Sequence, residues 1–468
     1  MKTARFGLRK TAMAAIIAVL GSLSPVASSA QNLADALVGA YNTSGLLEQN
    51  RALLRAADED VAIAVARLRP IISWTAGISR TFSDTLTSGP RYGTPVDLGL
   101  TASWLLYDGG QTRLQTVAAR ETVLATRETL RSIEQIILFR AVVAYMNVVS
   151  AEETVDLRQN NVRVLSEELR AAQDRFEVGE VTRTDVAQAE SRLAEARSNL
   201  AQAQGDLTNA QEEYLAAVGS RPVNLTSPPA LPAAPASVDA AKSVALRNHP
   251  DFLSAQRQVT VSELNVQVAD AARNPTVSMT GSVGWSDSFD DFSYNNSASL
   301  GLSLSQPIYS GGGLFAAVRQ AMANRDASRA NLLTVQEDVA QDAAIAFISL
   351  DTAAARLRAT ALRIDAAQVA FDGVREEATL GARTTLDVLD AEQELLDALA
   401  AQITAQTDQQ IAAYQLLQAQ GLLTAERLGL TVTLYDPAAY YNLVQDAPAE
   451  VSRRGQDLDR VLRAIGKE

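Results

Sequence analysis

The sequence has no cysteine and a single histidine among its 468 residues. Without cysteine the chain forms no disulfide, binds no metal through thiolates and uses no thiol nucleophile. The lone histidine, His249, stands in the turn-like stretch RNHP, which is a poor basis for metal binding or acid–base catalysis. The sequence also lacks a glycine-rich phosphate loop and a Ser/His/acid set. It therefore predicts no enzyme activity, no cofactor and no metal site.

Long apolar runs are scarce as well. Residues 1–30 combine a basic start, the apolar stretch Ala12–Leu23 and small residues at a cleavage-like end. This pattern predicts a secretory signal peptide, because the apolar stretch is too short to span a bilayer as an anchor. Further along, Ile133–Val149 is the longest apolar segment, but Arg140 and Asn147 interrupt it, so it predicts a buried helix.

Positive charge is in deficit. The formal charge of −13 falls to −17 when the four cations of the predicted signal peptide are removed. A chain this acidic is expected to avoid nucleic acid and anionic membrane surfaces.

The sequence is internally duplicated. LGLTASWLLYDGGQ at 98–111 matches LGLSLSQPIYSGGG at 300–313, and VGEVTRTDVAQAESRL at 178–193 matches LGARTTLDVLDAEQEL at 380–395, both at an offset of 202 residues. We predict two pseudo-symmetric repeats, 31–220 and 241–430. The Pro-rich segment 221–240 is expected to link them, and 431–468 forms a C-terminal tail. Its charged second part, SRRGQDLDRVLRAIGKE, is expected to be a short amphipathic helix or disordered.

Glycine and proline are absent from 111–178, which is rich in strong helix formers. The equivalent segment, about 314–380, has only Gly373 as an interruption. Each predicts a helix of roughly 100 Å, followed by a second helix at about 183–218 or 385–420. A single helix is expected before the two strands of each repeat. Rods this long must pack lengthwise in coiled-coil-like layers.

Four segments alternate apolar and polar residues and predict strands at about 71–83, 96–107, 276–286 and 297–309. All three tryptophans, Trp74, Trp104 and Trp285, fall on the apolar faces. A sheet packed on helices is one interpretation. Strands of about ten residues with an aromatic girdle are also typical of a transmembrane β-barrel, and this is the interpretation we favour.

Four strands do not close a barrel, since about eight are needed, and open edges are not viable in lipid. The chain must therefore assemble with copies of itself. Three copies supply twelve strands, and two copies make a narrower barrel.

With its duplicated halves, the YDGG and YSGGG strand exits and the paired corners VGEVTRTDV and LGARTTLDVLDAEQ, the chain resembles the TolC family of outer-membrane efflux and type I secretion channels. The resemblance implies an α+β membrane protein. Long helices form a trimeric α-helical barrel, the tunnel, and a 12-stranded transmembrane β-barrel takes four strands from each protomer. It also implies a place in the outer membrane of a Gram-negative bacterium, a homotrimer, a periplasmic adaptor and an inner-membrane ABC or RND-type transporter as partners.

The corners hold the candidate site residues. Thr182-x-x-Asp185 and Thr384-x-x-Asp387 match capping boxes. By resemblance, Asp387 and Asp390 form a ring of carboxylates at the periplasmic gate, where confinement is expected to raise pKa values and attract cations.

The resemblance also implies a latch in which Arg383 binds Thr184 and Asp185, with a solvated corner arginine as the alternative. The pairs Val178-Gly179 and Leu380-Gly381 match adaptor-docking corners. The competing interpretation of the whole chain is a non-channel periplasmic coiled-coil scaffold or adaptor. The sequence does not choose between protein and drug as cargo.

Overall fold

The computed structural model describes residues 31–87, 89–290, 294–448 and 452–464, so the predicted signal peptide at 1–30 lies outside the described residues. The first half contains α1 (Leu33–Thr43), α2 (Gly45–Ala66), β1 (Ile71–Ile78), β2 (Thr81–Thr85), β3 (Gly89–Gly93), β4 (Pro95–Tyr107), α3 (Gln111–Glu177) and α4 (Arg183–Val218). The second half contains α5 (Val238–Asn248), α6 (Pro250–Ala271), β5 (Thr276–Ser288), β6 (Asn295–Ser305), α7 (Gly313–Thr379), α8 (Thr385–Ala419), α9 (Pro437–Val444) and α10 (Arg453–Ala464).

The long rods and their return helices agree with the predicted boundaries to within one residue. Gly373 does not interrupt α7, which runs unbroken from Gly313 to Thr379. At about 1.5 Å per residue, each rod of 67 residues is on the order of 100 Å long.

The prediction of a single helix before each strand pair was wrong, since each half has two. In the first half, the Ser44 hydroxyl accepts a hydrogen bond from the Leu47 N–H and starts α2 as its N-cap. In the second half, His249 caps α6 and Pro250 occupies the first turn, where its missing N–H costs nothing. The single histidine therefore has a local structural role.

The main core surrounds the middle of α3, where Leu138 and Tyr145 are fully buried against α1, α2 and α4. The Tyr145 hydroxyl donates to the Thr226 carbonyl over 2.6 Å, which ties the linker to the rod. By length and composition α3 could cross a membrane. Its apolar stretch at Ile133–Val149 instead contributes many of its side chains to this core, as predicted.

The central sheet is antiparallel with strand order β1-β4-β5-β6. In its register Trp74 lies opposite Leu100, Leu100 opposite Val283, and the apolar residues of all four strands share one exposed face. The other face is lined with hydroxyls, including Ser73–Thr101 and Ser282–Ser299 contacts of 2.8 and 2.7 Å. The edge strands β1 and β6 each have only one neighbour among the described residues.

Two strand predictions need correction. The single strand expected at 71–83 is broken after Ile78, and a separate hairpin, β2–β3, extends beyond the sheet, with Phe82 and Tyr92 packed at a centroid distance of 5.1 Å. The strand expected to reach 309 ends at Ser305, because Pro307 has no N–H to continue the ladder.

In its charged second part the tail adopts the helical alternative as α10. The preceding helix, α9, packs against both α2 and α10. The Tyr440 hydroxyl donates to Glu59 over 2.6 Å, and Arg69, just before β1, donates to the carbonyls of Asp446 and Ala447. The described part of the tail therefore packs beside the junction between helices and sheet.

Candidate gate at the helical corners

The two helical corners have the same local geometry. Val178 and Leu380 are 71% and 78% exposed, and each is followed by a glycine, Gly179 or Gly381, with φ of 80° or 77°. A side chain is strained at such positive φ, so glycine ends each rod at little cost. Each corner therefore presents an exposed apolar residue at its tip.

Both capping boxes are present, as predicted. In the second corner, the Asp387 carboxylate accepts hydrogen bonds from the N–H and the hydroxyl of Thr384, at 2.9 Å each. The bonds from Thr384, with a smaller effect of Arg383, lower the pKa of Asp387 below its ordinary value. Within one chain this direction is opposite to the increase expected for a carboxylate ring, which depends on neighbouring copies.

Asp390 has a partner that the sequence did not suggest. Arg192 of α4 donates to the Asp390 carboxylate of α8 over 2.8 Å, so this ion pair joins the first helical hairpin to the second. The side chains of Asp387 and Asp390 share a helix, but they bind different partners. Of these two aspartates, Asp390 has a basic side chain in hydrogen-bond contact and Asp387 does not.

Arg383 binds a neighbour within its own corner. Its Nε donates to Glu377 over 2.8 Å. In the first corner, Asp185 closes the capping box with Thr182, and Thr184 is exposed. The predicted latch contacts of Arg383 with Thr184 and Asp185 are not formed within the described single chain.

A buried polar contact lies a few residues further along α8. Glu392, only 7% exposed, accepts a hydrogen bond from the Asn161 amide of α3 over 3.1 Å. Close by, Leu165 of α3, Leu193 of α4 and Leu389 of α8 form a small apolar cluster. Here α8 packs against both helices of the first hairpin.

Three residues of this region were not predicted from the sequence: Arg192, Asn161 and Glu392. The recognisable motifs lie at the corners, and α4 and α8 are rich in charged residues without a distinguishing spacing. One usable signal was the departure from repeat symmetry at Asp390, whose equivalent is Gln188. Glu392 gives no such signal, because its equivalent, Glu190, is also a glutamate.

The tryptophans share the apolar face of the sheet but lie at two levels. Trp104 is next to the helices, and its indole N–H donates to the Leu68 carbonyl over 3.1 Å. Trp74 and Trp285 pair with Leu100 and Leu98, nearer the middle of β4. The aromatic residues Phe82 and Tyr92 are further out, in the β2–β3 hairpin.

Comparison with known proteins identifies the class. The model of the Outer membrane efflux protein family matches residues 27–220 and 241–422. The chain therefore belongs to this family of outer-membrane export channels, which includes TolC, and it is an outer-membrane protein. This membership favours the channel interpretation over the scaffold and over an enzyme.

Relatives cover most of the chain. The outer membrane efflux protein BepC of Brucella suis biovar 1 is 38% identical over 449 residues, spanning 95% of this chain and 98% of BepC. The outer membrane protein TolC of Vibrio cholerae is 25% identical and spans 88% of this chain and 95% of TolC. The crystal structure of the Campylobacter jejuni CmeC channel has the same fold, with a TM-score of 0.74 and 18% identity over 89% of this chain and 90% of CmeC.

Proposed function

We propose that three copies of this chain form one continuous conduit, with a 12-stranded β-barrel in the outer membrane and a helical tunnel through the periplasm. The observation that carries the proposal is the open four-stranded sheet, whose apolar face is exposed and whose two edges lack partners among the described residues. Lipid tolerates the apolar face but not the unpaired edges. Strands β1 and β6 of neighbouring copies would pair and remove those edges.

The helices, like the sheet, leave apolar surface uncovered in the single chain. The outward helices α2 and α7 expose apolar side chains that a neighbouring copy would cover: Leu46, Leu53 and Ile63 on α2, and Leu333, Ile345, Ile348, Leu362 and Val369 on α7. A head-to-tail contact between the α2 side of one copy and the α7 side of the next closes a ring when it repeats. This geometry supports a cyclic assembly.

The tunnel would end at the corners and dock a periplasmic adaptor there. The exposed Val178 and Leu380 at the two tips would supply the apolar contacts. An inner-membrane transporter of the ABC or RND type would then select the cargo, whether protein or small molecule. This part of the proposal rests on family resemblance and on the exposed corners.

The gate would be lined by the carboxylates of Asp387 and Asp390 from three copies, which would make it cation-selective. Because Asp390 is already paired with Arg192, Asp387 should carry most of the selectivity. Arg383, in exchange for its contact with Glu377, would reach Thr184 and Asp185 in the assembled closed state and act as a latch.

Assembly and conduction test the proposal together. The purified detergent-solubilised protein should have the mass of three chains and form ion-conducting pores in planar lipid bilayers. A stable water-soluble monomer without pores would contradict it.

The gate is tested by selectivity measurements on Asp387→Asn, Asp390→Asn and, as a control far from the corner, Asp206→Asn. Asp387→Asn should lower the cation preference most, and Asp206→Asn should leave it unchanged. Equal preference in all three would refute the carboxylate ring. Joint replacement of Arg383 and Asp185 by alanine should raise the resting conductance if the latch exists.

A further inference from the structure

The contact between the two helical hairpins contains a buried carboxyl group that the capping boxes and the proposed latch do not use. Glu392 is held by one hydrogen bond from Asn161, and its second oxygen, Oε2, is buried without a hydrogen-bond partner in the described part of the chain. A buried polar atom without a partner is costly, and the cost rises sharply if the group is charged. The packed junction therefore disfavours ionised Glu392.

The same junction also contains a more exposed ion pair. About half a turn before Glu392 on α8, Asp390 binds Arg192 of α4. One residue earlier still, Leu389 packs with Leu165 and Leu193. Over a single helical turn, α8 is thus joined to α3 by Glu392 and to α4 by Asp390.

We propose that the Glu392–Asn161 and Asp390–Arg192 contacts form an interhairpin clasp. It holds α8 against the first hairpin, keeps the corner end of the conduit narrow, and loosens when Glu392 ionises. The clasp rests on the proposed channel function, because it assigns to these residues the closed position of that channel's gate. It is separate from the Arg383 latch, which lies in the corner itself.

The charged surroundings give the direction of the pH effect. Burial is the largest cause that raises the pKa of Glu392, to about 7. Glu168 of α3 raises it further, and the Asn161 hydrogen bond and Arg375 of α7 lower it. On α4, Arg192 pairs both with Asp390 of α8 and with Glu195 of its own helix. Since the packed state raises the pKa, proton binding favours the clasp. Its contribution is complete below the ordinary pKa of a glutamate and is lost as the pH rises through about 7.

The second repeat supports a specific role for these positions. The residues equivalent to Asn161 and Arg192, at an offset of 202, are Arg363 and Glu394. Those two bind each other over 2.7 Å and so tie α7 to α8 within one hairpin. In the first repeat, Asn161 and Arg192 instead both bind residues of α8. Duplication alone would have kept the contact inside the hairpin, so the clasp is a departure from the symmetric arrangement.

Conductance measurements on the assembled protein test the clasp. The resting conductance of the unaltered channel should rise at least about threefold between roughly pH 5 and pH 8. Glu392→Gln keeps the acceptor for Asn161 but cannot ionise, so its conductance should stay low and flat across this range. Arg192→Gln should raise conductance at every pH. The matched control is Glu394→Gln, the same change two residues along α8, which should retain the pH response of the unaltered channel.

A structural measurement separates failure of the clasp from failure of the channel. Because the chain has no cysteine, spin labels on Glu180→Cys and Ala382→Cys report the separation of the two corners in trimers diluted with unlabelled chains. The separation should increase from about pH 5 to pH 8, and it should not change when Glu392→Gln is added. A pH-independent separation, or equal pH responses in Glu392→Gln and Glu394→Gln, overturns the clasp. A pH-dependent separation in a protein that forms no pores supports the clasp and refutes the channel.

Discussion

The rods α3 and α7 have equal lengths and equivalent positions in the two repeats, yet they are packed very differently. α3 buries more than twice as many residues as α7. Leu138 and Tyr145 lie in the core of the protomer, whereas Leu362 and Val369 of α7 are largely exposed. α3 packs against α1, α2, α4, α6 and α8, while α7 packs mainly against α5, α6 and α8. In the proposed assembly, one rod would therefore serve the protomer core and the other the contact with another copy.

The largest expected difference between the rods is in protomer stability. Leu138→Ala, at a fully buried position of α3, should lower the free energy of unfolding by about 3 kcal/mol through lost contacts and a cavity. Leu362→Ala in α7 should have little effect on the protomer but reduce the fraction of heat-resistant oligomer. Chemical denaturation and semi-native electrophoresis measure the two quantities. If Leu362→Ala destabilised the protomer as much as Leu138→Ala, the division of roles would be wrong.

A second difference concerns the glycines that end α4 and α8. A Cβ atom at Gly421 would lie 2.5 Å from the Asn248 carbonyl oxygen, and one at Gly219 would lie 2.6 Å from the Thr43 hydroxyl. Both glycines have positive φ. At Gly421 the clash is with backbone atoms alone, whereas at Gly219 the Oγ1 and Cγ2 atoms of Thr43 can rotate away and only its Cβ, at 2.8 Å, stays in place. Gly421→Ala should therefore cost about 2 kcal/mol or more, and Gly219→Ala should cost less.

Thermal unfolding followed by circular dichroism measures this pair. Gly373→Ala is the control, since that glycine has ordinary helical geometry and no neighbour within 4 Å of its Cβ position. It should be neutral or slightly stabilising. Equal losses of thermal stability in Gly421→Ala and Gly219→Ala would contradict this order. They would mean that the backbone at residue 248 shifts as easily as the Thr43 side chain.

Loss of the capping box should have nearly the same effect on helix stability in the two repeats. Thr182→Ala and Thr384→Ala remove equivalent caps, and each should speed amide exchange in the first turn of its helix by roughly fivefold. Thr384→Ala also frees Asp387, whose pKa should return upward. Since the pKa of Asp387 is lowered in the intact corner, its stabilising effect is present at neutral pH and disappears as the pH falls through that lowered value. Exchange rates that differ strongly between the two corners at neutral pH would contradict the equivalence.

The smallest effect is expected for the ion pair within the second hairpin. Arg363→Gln removes the Arg363–Glu394 contact, whose side chains are 45% and 61% exposed. Such exposed pairs contribute about 1 kcal/mol or less, so the unfolding midpoint should barely move and the pH response of conductance should be unaffected. A change as large as that of Arg192→Gln would show that the two equivalent positions act alike.

The local features of this protein could be predicted from local sequence. The long rods follow from the absence of glycine and proline, the corners from Gly179 and Gly381, and the caps from Thr182 and Thr384 with their acids. Alternation identified the apolar strand faces. The wrong predictions were also local. The first strand is divided near Ser79, and the helices before the strands are broken at Ser44 and His249, whose capping roles were not predicted.

Tertiary structure alone decided the contacts between elements distant in sequence. Asn161 contacts α8, whereas the equivalent Arg363 binds within its own hairpin. This difference depends on how the two hairpins pack, and the sequence near each residue does not predict it. The same holds for Asp390, whose pairing with Arg192 spans 198 residues. Sequence fixes backbone geometry within a few residues because caps, glycines and alternation act at short range. Partners across helices arise only when the packed rods bring their surfaces together.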